Sequence, residues 1–239
     1  MNSNGRYIVI EGPEGVGKTT QLDLLAHRLE KAGYPVRLFR EPDSQSDLTA
    51  RAIRMLTQDP RYPMNTRTEV LLYNAARSQS LEVIRKAKEA GVICLCDRNY
   101  LTTLAIQYYG RGDVPDYATI NSIIDFAVAD MQPDITIVLD APAKSLKERA
   151  EGRGKGERFD NLGIEFLERV RAGYLWEAKQ RGYPVIFAGD APEVVNEAIW
   201  KTLSGVIEKQ AVNSQAPPMI ASVSLATTPA TSIKEVIDA

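Results

Sequence analysis

Eight consecutive residues near the start of the chain have the types and the spacing that bind the phosphates of a nucleotide. They read Gly12-Pro13-Glu14-Gly15-Val16-Gly17-Lys18-Thr19, with Thr20 next in the chain. Glycines let the backbone wrap closely around anionic oxygens, so that its N–H groups and the start of the next helix point at the phosphates. The lysine neutralises the β- and γ-phosphates and the threonine hydroxyl binds Mg²⁺. Because a predicted strand precedes the motif and an amphipathic helix follows it, the sequence predicts a site for ATP or GTP.

Switches, motors and small-molecule kinases all share this loop, so the loop alone does not tell which reaction the protein catalyses. Two further features of the sequence distinguish these classes. A GTPase reads guanine with Asn-Lys-x-Asp, and no Asn-Lys pair occurs in the chain. Many mechanical ATPases activate water with a second acidic residue at the end of a strand, whereas here Asp140 is followed by Ala141-Pro142. The pattern therefore favours phosphoryl transfer to an acceptor other than water.

The residues of an acceptor site are expected at the carboxyl ends of the strands, where open parallel sheets bind their ligands. Asp97-Arg98 ends one predicted strand. An arginine there can bind an acceptor phosphate through two N–H groups, and the aspartate can bind Mg²⁺ through water or orient the arginine. A simple ion pair between Asp97 and Arg98 explains these two residues equally well.

Two pairs of side chains could bind a base. Tyr73 and Arg77 are four residues apart on a predicted helix, so a ring that stacks on a base and a guanidinium that binds its edge share one face. Thr103 and Gln107, which follow Asp97-Arg98, are also one helical turn apart. Taken alone, either pair is more typical of surface packing or of a solvated helix face.

The elements that must position these residues alternate between short apolar runs and longer helical patterns, which is typical of repeated βαβ units. The predicted strands are Tyr7–Glu11, Val36–Arg40, Val92–Asp97, Ile135–Asp140 and Val185–Ala188. The predicted helices are Lys18–Ala32, Leu48–Leu56, Thr68–Ala90, Tyr117–Ala129, Ala143–Glu151, Gly163–Gln180 and Pro192–Glu208. The pattern predicts an α/β fold with a mostly parallel sheet that helices cover on both faces.

Composition is that of an ordinary globular protein and excludes fibrous, disulfide-rich and wholly disordered classes. The 239 residues are 44% hydrophobic, and 29 basic residues against 31 acidic ones give a net charge of −2. Without a basic excess we expect no nucleic-acid partner, and without a long apolar run we expect no membrane partner. Cys94 and Cys96 point to one face of a predicted strand as core thiols. Two such thiols without an export signal favour the cytoplasm.

Two stretches depart from the alternating pattern. Residues 149–160 contain glycines that alternate with charges, and they are expected to form a mobile loop or a basic lid that closes over the phosphates. After residue 210 the composition changes to Ala, Ser, Thr, Pro and Val. We therefore expect one domain over residues 1–210 and a flexible C-terminal tail over residues 211–239.

Taken in order, these motifs resemble those of bacterial thymidylate kinases. The resemblance rests on YIVIEGPEGVGKTT at 7–20, Arg40-Glu41-Pro42, TEVLLYNAARSQ at 68–79, Asp97-Arg98 followed by LTTLAIQ at 101–107 and GRG at 110–112, and PDITIVLD at 133–140. It implies a P-loop fold of three α/β/α layers with a five-stranded parallel sheet and a mobile lid, usually in a homodimer. It also implies the reaction of ATP with dTMP to give ADP and dTDP, with Mg²⁺.

The resemblance assigns roles to the acceptor residues by position. Tyr73 would stack on thymine, where the family usually has Phe. Arg77 and Gln107 would hydrogen-bond the edge of the base, and Thr103 would help to line that pocket. The acceptor phosphate would be bound by Arg98 together with Arg54.

The sugar, the metal and the γ-phosphate also have assigned residues. Glu14 would lie near the sugar 3′-hydroxyl and Asp160 near the sugar and the metal, which Thr19 and Asp97 would hold. Because the variable loop positions carry no basic residue, the lid would supply one from Arg149, Arg153 and Arg158. Arg153, with Arg149, would reach the γ-phosphate. The implied catalytic residues are Lys18, Asp97, Arg98 and Arg153.

One departure from the family pattern keeps other functions open. Ile106 stands where a tyrosine usually precedes Gln107, unless Tyr108 or Tyr109 takes its place. The alternatives are a kinase of the same fold that acts on dUMP or a nucleoside, and a nucleotide-binding module that no longer transfers phosphate. Intact Lys18 and Asp97-Arg98 argue against the second alternative.

Overall fold

The computed structural model describes residues 5–41, 47–114, 116–151 and 163–207. The predicted C-terminal tail lies outside these ranges. So do Arg153, Arg158 and Asp160 of the predicted lid, whereas Arg149 lies within them. The domain limit at residue 210 also falls outside, since the last described helix ends at Ile207.

Five parallel strands form one sheet. The strands are β1 (Arg6–Glu11), β2 (Val36–Arg40), β3 (Ile93–Asp97), β4 (Ile135–Asp140) and β5 (Val185–Phe187). Their order is β2-β3-β1-β4-β5, which confirms the predicted parallel sheet. The chain leaves the neighbouring strands β1 and β3 in opposite directions, toward β2 and β4 respectively. Such a switch point opens a crevice at the carboxyl ends of the two strands.

Helices cover both faces of this sheet, which confirms the predicted three layers. They are α1 (Lys18–Lys31), α2 (Leu48–Gln58), α3 (Thr66–Glu89), α4 (Tyr100–Thr103), α5 (Tyr117–Val128), α6 (Ala143–Glu151), α7 (Ile164–Arg181) and α8 (Pro192–Ile207), and a π-helical segment over Leu104–Arg111 continues α4. In β1, Tyr7 and Val9 pack in the apolar layer with α3, α5 and α7, whereas Ile8 and Ile10 pack with α1 and α8. Within the described ranges no helix is both long and apolar enough to cross a membrane.

Side-chain caps fix the starts of α2 and α3, which border the crevice. Asp47 caps α2 by accepting a hydrogen bond of 2.9 Å from the backbone N–H of Ala50. Asn65 caps α3 by accepting one of 3.0 Å from the backbone N–H of Thr68. Each cap satisfies an N–H group that the first helical turn leaves without a partner.

The helix formed by α4 and the π-helical segment is not among the helices predicted from the sequence, although Thr103 and Gln107 were placed one helical turn apart. Leu101, Leu104 and Ala105 recur at helical spacing and are all buried in the core. The segment also packs too closely on α7 for ordinary residues. A Cβ at Gly110 would lie 2.7 Å from the Val170 side chain, and one at Gly173 would lie 2.7 Å from the Tyr109 ring. Glycine at both positions permits this contact.

Candidate active site

The phosphate loop connects β1 to α1 and lies against β4. Gly12 has a φ of 140°, and a Cβ there would lie 2.4 Å from the carbonyl oxygen of Leu139, so only glycine allows this path. The Lys18 ammonium donates hydrogen bonds of 2.9 Å to the carbonyl oxygens of Gly12 and Pro13. Burial, together with the nearby charge of Arg98, lowers the pKa of Lys18 to about 8. A bound polyphosphate would oppose this shift, because negative charge favours the ammonium form.

Thr19 and Asp97 come together at the start of α1. The Thr19 hydroxyl donates a hydrogen bond of 3.2 Å to Asp97 Oδ2, while Asp97 Oδ1 is buried without a hydrogen-bond partner among the described residues. Hydroxyl and carboxylate oxygens suit a hard cation, which would satisfy the buried oxygen. The described ranges hold no group of three or more His, Cys, Asp or Glu side chains that could bind a metal. These two residues therefore fit Mg²⁺ whose other ligands are phosphate oxygens and water.

Arg98 does not form the simple ion pair with Asp97 that the sequence left open. Its guanidinium lies 4.0 Å from Glu14 Oε2 and donates to Thr102 Oγ1 at 3.4 Å and to the Tyr174 hydroxyl at 3.5 Å. The residue is 9% exposed. Arg98 is thus held at the mouth of the crevice by partners other than its neighbour in the chain.

Two adjoining cavities occupy the crevice. The loop cavity is lined by the phosphate loop together with Thr19, Asp97 and their neighbours. The helix cavity is lined by the side chains that the sequence assigned to the acceptor, namely Arg54, Tyr73, Arg77, Arg98, Thr103 and Gln107. Glu14, Arg40 and Arg98 line both cavities. The structure therefore brings every described acceptor residue of the sequence analysis to one place.

The inner end of the helix cavity combines a ring with several hydrogen-bonding groups. Tyr73 and Arg77 share a face of α3, as their spacing predicts, and both are buried. Arg77 Nη2 donates a hydrogen bond of 3.1 Å to Thr103 Oγ1. The amide of Gln107 donates to Glu69 at 3.5 Å, and its Oε1 is buried without a partner among the described residues. This end of the cavity can stack a flat ring and both donate to and accept from its edge.

Glu41 and Arg40 complete the site, and the sequence named them only as part of the motif Arg40-Glu41-Pro42, without a role. Glu41 Oε2 accepts a hydrogen bond of 2.7 Å from Arg77 Nε, and Glu41 Oε1 accepts one of 3.3 Å from the Tyr7 hydroxyl. Burial raises the pKa of Glu41, while the charge of Arg77 opposes that rise. Arg40 ends β2 and Glu41 follows it, as Asp97 ends β3 and Arg98 follows it. The expectation that ligands bind at strand ends would have found them.

Two charged residues near the loop cavity are engaged elsewhere. Arg171 binds both carboxylate oxygens of Asp140 at 2.7 and 2.8 Å, so Asp140 is not available to activate a water molecule. Arg149 Nη1 donates a hydrogen bond of 3.0 Å to the carbonyl oxygen of Ala188, and it is not among the residues that line the loop cavity.

Comparison with known proteins identifies this arrangement. The family model for thymidylate kinase matches residues 10–199. Thymidylate kinases of Carboxydothermus hydrogenoformans and Pseudomonas putida (strain GB-1) are 37% and 39% identical to this chain over 205 and 210 residues. These matches cover 85% and 86% of this chain and 97% and 98% of the two relatives. The chain belongs to the thymidylate kinase family.

The departure at Ile106 lies inside the site of this thymidylate kinase family member. Ile106 lines the helix cavity. Tyr108 and Tyr109 instead pack edge to face on each other, with ring centroids 4.9 Å apart, and extend an aromatic cluster toward Tyr117 and Trp176. Neither ring is therefore among the residues that line the helix cavity.

The buried pair of Arg77 and Glu41 generates a prediction about stability. Replacing Arg77 by Met leaves Glu41 buried without its cation, which should lower the free energy of unfolding by about 3–5 kcal/mol at pH 7.5. The matched control is Arg85→Met, because Arg85 pairs with the exposed Asp130. Arg85→Met should lower the free energy of unfolding by less than about 1 kcal/mol. Urea denaturation of both variants and of the wild type measures the two losses.

The same comparison predicts a pH dependence with a definite sign. Loss of Arg77 raises the already elevated pKa of Glu41 further, so the folded variant takes up a proton that the unfolded chain does not. The loss in free energy of unfolding of Arg77→Met, relative to the wild type, should therefore shrink as the pH falls from 8 toward about 5. An equal deficit at every pH, or one matching that of Arg85→Met, would contradict this account of the pair.

Proposed function

We propose that this protein transfers the γ-phosphoryl group of ATP to the phosphate of dTMP, giving ADP and dTDP. One observation carries the proposal, namely that Glu14, Arg40 and Arg98 line both the loop cavity and the helix cavity. A phosphate bound at this junction from the helix cavity would adjoin the terminal phosphate of a nucleotide on the loop. The two thymidylate kinases that are 37% and 39% identical to this chain support dTMP as the acceptor.

The chemistry needs charge and alignment from the protein more than acid–base groups. An acceptor phosphate oxygen is already anionic, and it forms the new bond to the γ-phosphorus as the bond from that phosphorus to the leaving ADP oxygen breaks in line. Arg98 and Arg40 at the junction offset the repulsion between the two phosphate groups. Lys18 neutralises charge on the β- and γ-phosphates from the other side. Fixed cations of this kind stabilise the transition state without having to reorganise.

We propose that Thr19 and Asp97 hold Mg²⁺ together with oxygens of the bound phosphates. Among the described residues, Oδ1 of Asp97 is buried and has no hydrogen-bond partner, which supports this assignment. When bound, the ion neutralises negative charge on the β- and γ-phosphates. The engagement of Asp140 by Arg171 adds support for an acceptor other than water.

The base of dTMP is proposed to bind at the inner end of the helix cavity. Tyr73 would stack on thymine, with Thr103 beside it. Among the described residues, Arg77 uses three of its five N–H groups on Glu41, Asn74 and Thr103. Another would donate to a carbonyl oxygen of the base. Gln107 Oε1 would accept from the N3–H of thymine. Cytosine has an acceptor at that position and would leave the amide oxygen unpaired.

Other members of the proposed site follow from the resemblance. Arg54 of α2 would add to the cations around the acceptor phosphate, and it lines the helix cavity. Glu14, which lies 4.0 Å from Arg98, would approach the sugar 3′-hydroxyl. Asp160 is proposed to act near the sugar and the metal, and it lies outside the described residues. We propose that these residues and the lid belong to one domain over residues 1–210.

Acceptor selectivity tests the proposal directly. A coupled assay of ADP release, with ATP and Mg²⁺, should compare dTMP, dUMP, UMP, dCMP and thymidine at equal concentrations. We expect kcat/KM for dTMP to exceed that for dCMP and that for thymidine by at least about a hundredfold. The base of dCMP lacks the N3–H, and thymidine lacks the phosphate that Arg98 binds. We expect dUMP to be slower by about tenfold, since one methyl group contributes that much in an apolar pocket.

Other patterns of turnover would contradict this proposal in distinct ways. Comparable use of UMP would show that Ile106 opens the sugar site to ribonucleotides. Preference for dUMP or thymidine would support a kinase of the same fold with a shifted acceptor. Binding of ATP without turnover of any acceptor would support a module that has lost phosphoryl transfer.

We propose that the lid supplies the cation for the transferred phosphoryl group through Arg153. Arg153→Ala should lower kcat by about a hundredfold or more while KM for dTMP stays within about twofold, because the charge acts only where negative charge develops. Lys155→Ala, which removes a like charge two residues on, is the matched control and should keep kcat within about threefold. Steady-state kinetics measure both, and an unchanged kcat in Arg153→Ala would refute the assignment.

We also propose that the protein is a homodimer that associates through α3 and α5. These helices pack against each other and expose large apolar side chains, with Phe126 90% and Leu71 57% exposed. A contiguous apolar surface formed by these two helices would mark an association surface. Light scattering should give twice the chain mass of 26.4 kDa for the wild type and a smaller mass for Phe126→Asp. A monomeric wild type would contradict the proposal.

A further inference from the structure

We propose that Glu11 is the positioning residue that holds Arg98 at the junction of the two cavities. Glu11 is the last residue of β1 and is fully buried, and it does not line either cavity. Its carboxylate acts on Arg98 through the backbone turn that follows β3 and through the side chain of Thr102. The inference rests on the proposed function, because it takes the Arg98 guanidinium as the ligand of the acceptor phosphate.

The backbone at Arg98 is strained. Its φ is 75°, in the left-handed region that favours glycine, and within the described ranges Ala129 is the other non-glycine residue with a positive φ. A side chain in this conformation persists only where the surrounding structure imposes it. The strain turns the chain sharply between Asp97, whose oxygens suit the metal, and Asn99, whose side chain caps α4. Some contact must therefore hold this turn.

Glu11 supplies that contact from the neighbouring strand. Glu11 Oε1 accepts hydrogen bonds from the backbone N–H groups of Asn99, at 2.7 Å, and of Thr102, at 3.1 Å. On the other side of the turn, the backbone N–H of Arg98 donates to the carbonyl oxygen of Ile10 at 3.1 Å. Residues 10 and 11 thus bind the turn both at Arg98 and directly after it. A carboxylate oxygen is suited to this position because it can accept two N–H groups at once.

The second oxygen of Glu11 sets the hydrogen bonds of the Arg98 guanidinium. Thr102 Oγ1 donates its single proton to Glu11 Oε2 at 2.8 Å. The two lone pairs of that hydroxyl are then left for the Tyr174 hydroxyl, at 2.8 Å, and for Arg98 Nη1, at 3.4 Å. With an amide in place of the carboxylate, Thr102 would accept from residue 11 and one of these lone pairs would be lost.

The negative charge of Glu11 also favours the place where Arg98 lies. Among the described residues, no cation lies within 4.0 Å of the Glu11 carboxylate. Burial raises the pKa of Glu11, and the charge of Arg98 opposes that rise. A buried carboxylate without a direct ion pair is costly unless hydrogen bonds and nearby charge stabilise it. Arg98 and Glu11 therefore stabilise each other across Thr102, without direct contact.

A double-mutant cycle with Glu11→Gln and Arg98→Ala tests this inference. We expect Glu11→Gln to raise KM for dTMP, or to lower kcat/KM for dTMP, by about tenfold while KM for ATP changes by less than about twofold. Arg98→Ala should lower kcat/KM by about a hundredfold or more. In the Arg98→Ala background, Glu11→Gln should then cost less than about threefold, because its effect passes through the missing guanidinium.

Thr102→Val gives a second variant that removes the bridging hydroxyl and keeps the shape of the side chain. It should reproduce the loss of dTMP affinity seen in Glu11→Gln, and combining the two should add little. Glu177→Gln is the matched control, since Glu177 is an equally buried carboxylate that binds Tyr109, Tyr117 and Arg181. It should lower Tm without changing KM for dTMP by more than about twofold.

Three results would overturn the inference. One is an equal loss from Glu11→Gln with and without Arg98, or a loss that Glu177→Gln shares, since Glu11 would then act through general stability. Another is a kcat/KM for dTMP that is unchanged in Glu11→Gln while it is severely lowered in Arg98→Ala, which would leave the proposed function intact. The third is an unchanged kcat/KM for dTMP in Arg98→Ala. That result would remove the premise, and it would count against the acceptor-phosphate site of the proposed function as well.

Discussion

Parallel pairing of β1 with β3 places the phosphate loop beside the Asp97-Arg98 turn, and the rest of the site is arranged around these two. Ile10 is opposite Asp97, so the phosphate loop after β1 and the Asp-Arg turn after β3 leave the sheet side by side. Pairing of β2 with β3 places Arg40 opposite Asp97 in the same way. A slip of one residue in either pairing would turn these side chains to the other face of the sheet. The alternation of core residues between two apolar layers keeps the register, because both faces are buried.

The site is built from charges that the fold removes from water. Lys18, Arg77 and Arg98 are each less than a tenth exposed, and Glu11 and Glu41 are essentially buried. Burying a charge is costly, and here each charge has hydrogen bonds or an opposite charge that reduces the cost. The result is a set of cations whose geometry is fixed before substrate binds. Electrostatic stabilisation of a phosphoryl group depends on such preorganised charges.

The sequence predicts the fold and the centre of the site well, because local patterns carry them. The phosphate loop is a contiguous motif, and strand ends mark Asp97-Arg98. The spacing of Tyr73 and Arg77 places both on one face of a helix. Contacts between residues that are far apart in the chain leave no such pattern. Glu41 meets Arg77 across 36 positions and Glu11 meets Asn99 across 88, so only the folded chain reveals either contact. The helix over residues 100–111 is not among the predicted helices, although Leu101, Leu104 and Ala105 recur at helical spacing.

If the two cavities meet at Arg98, one molecule that carries both nucleosides should occupy them together. Adenosine and thymidine joined 5′ to 5′ by a tetraphosphate bridge have the three phosphates of ATP and the one phosphate of dTMP in one chain. The account predicts that this compound inhibits competitively against ATP and against dTMP, and binds more tightly than either substrate. Competition with ATP alone, and noncompetitive inhibition against dTMP, would show that the two cavities are not the two halves of one active site.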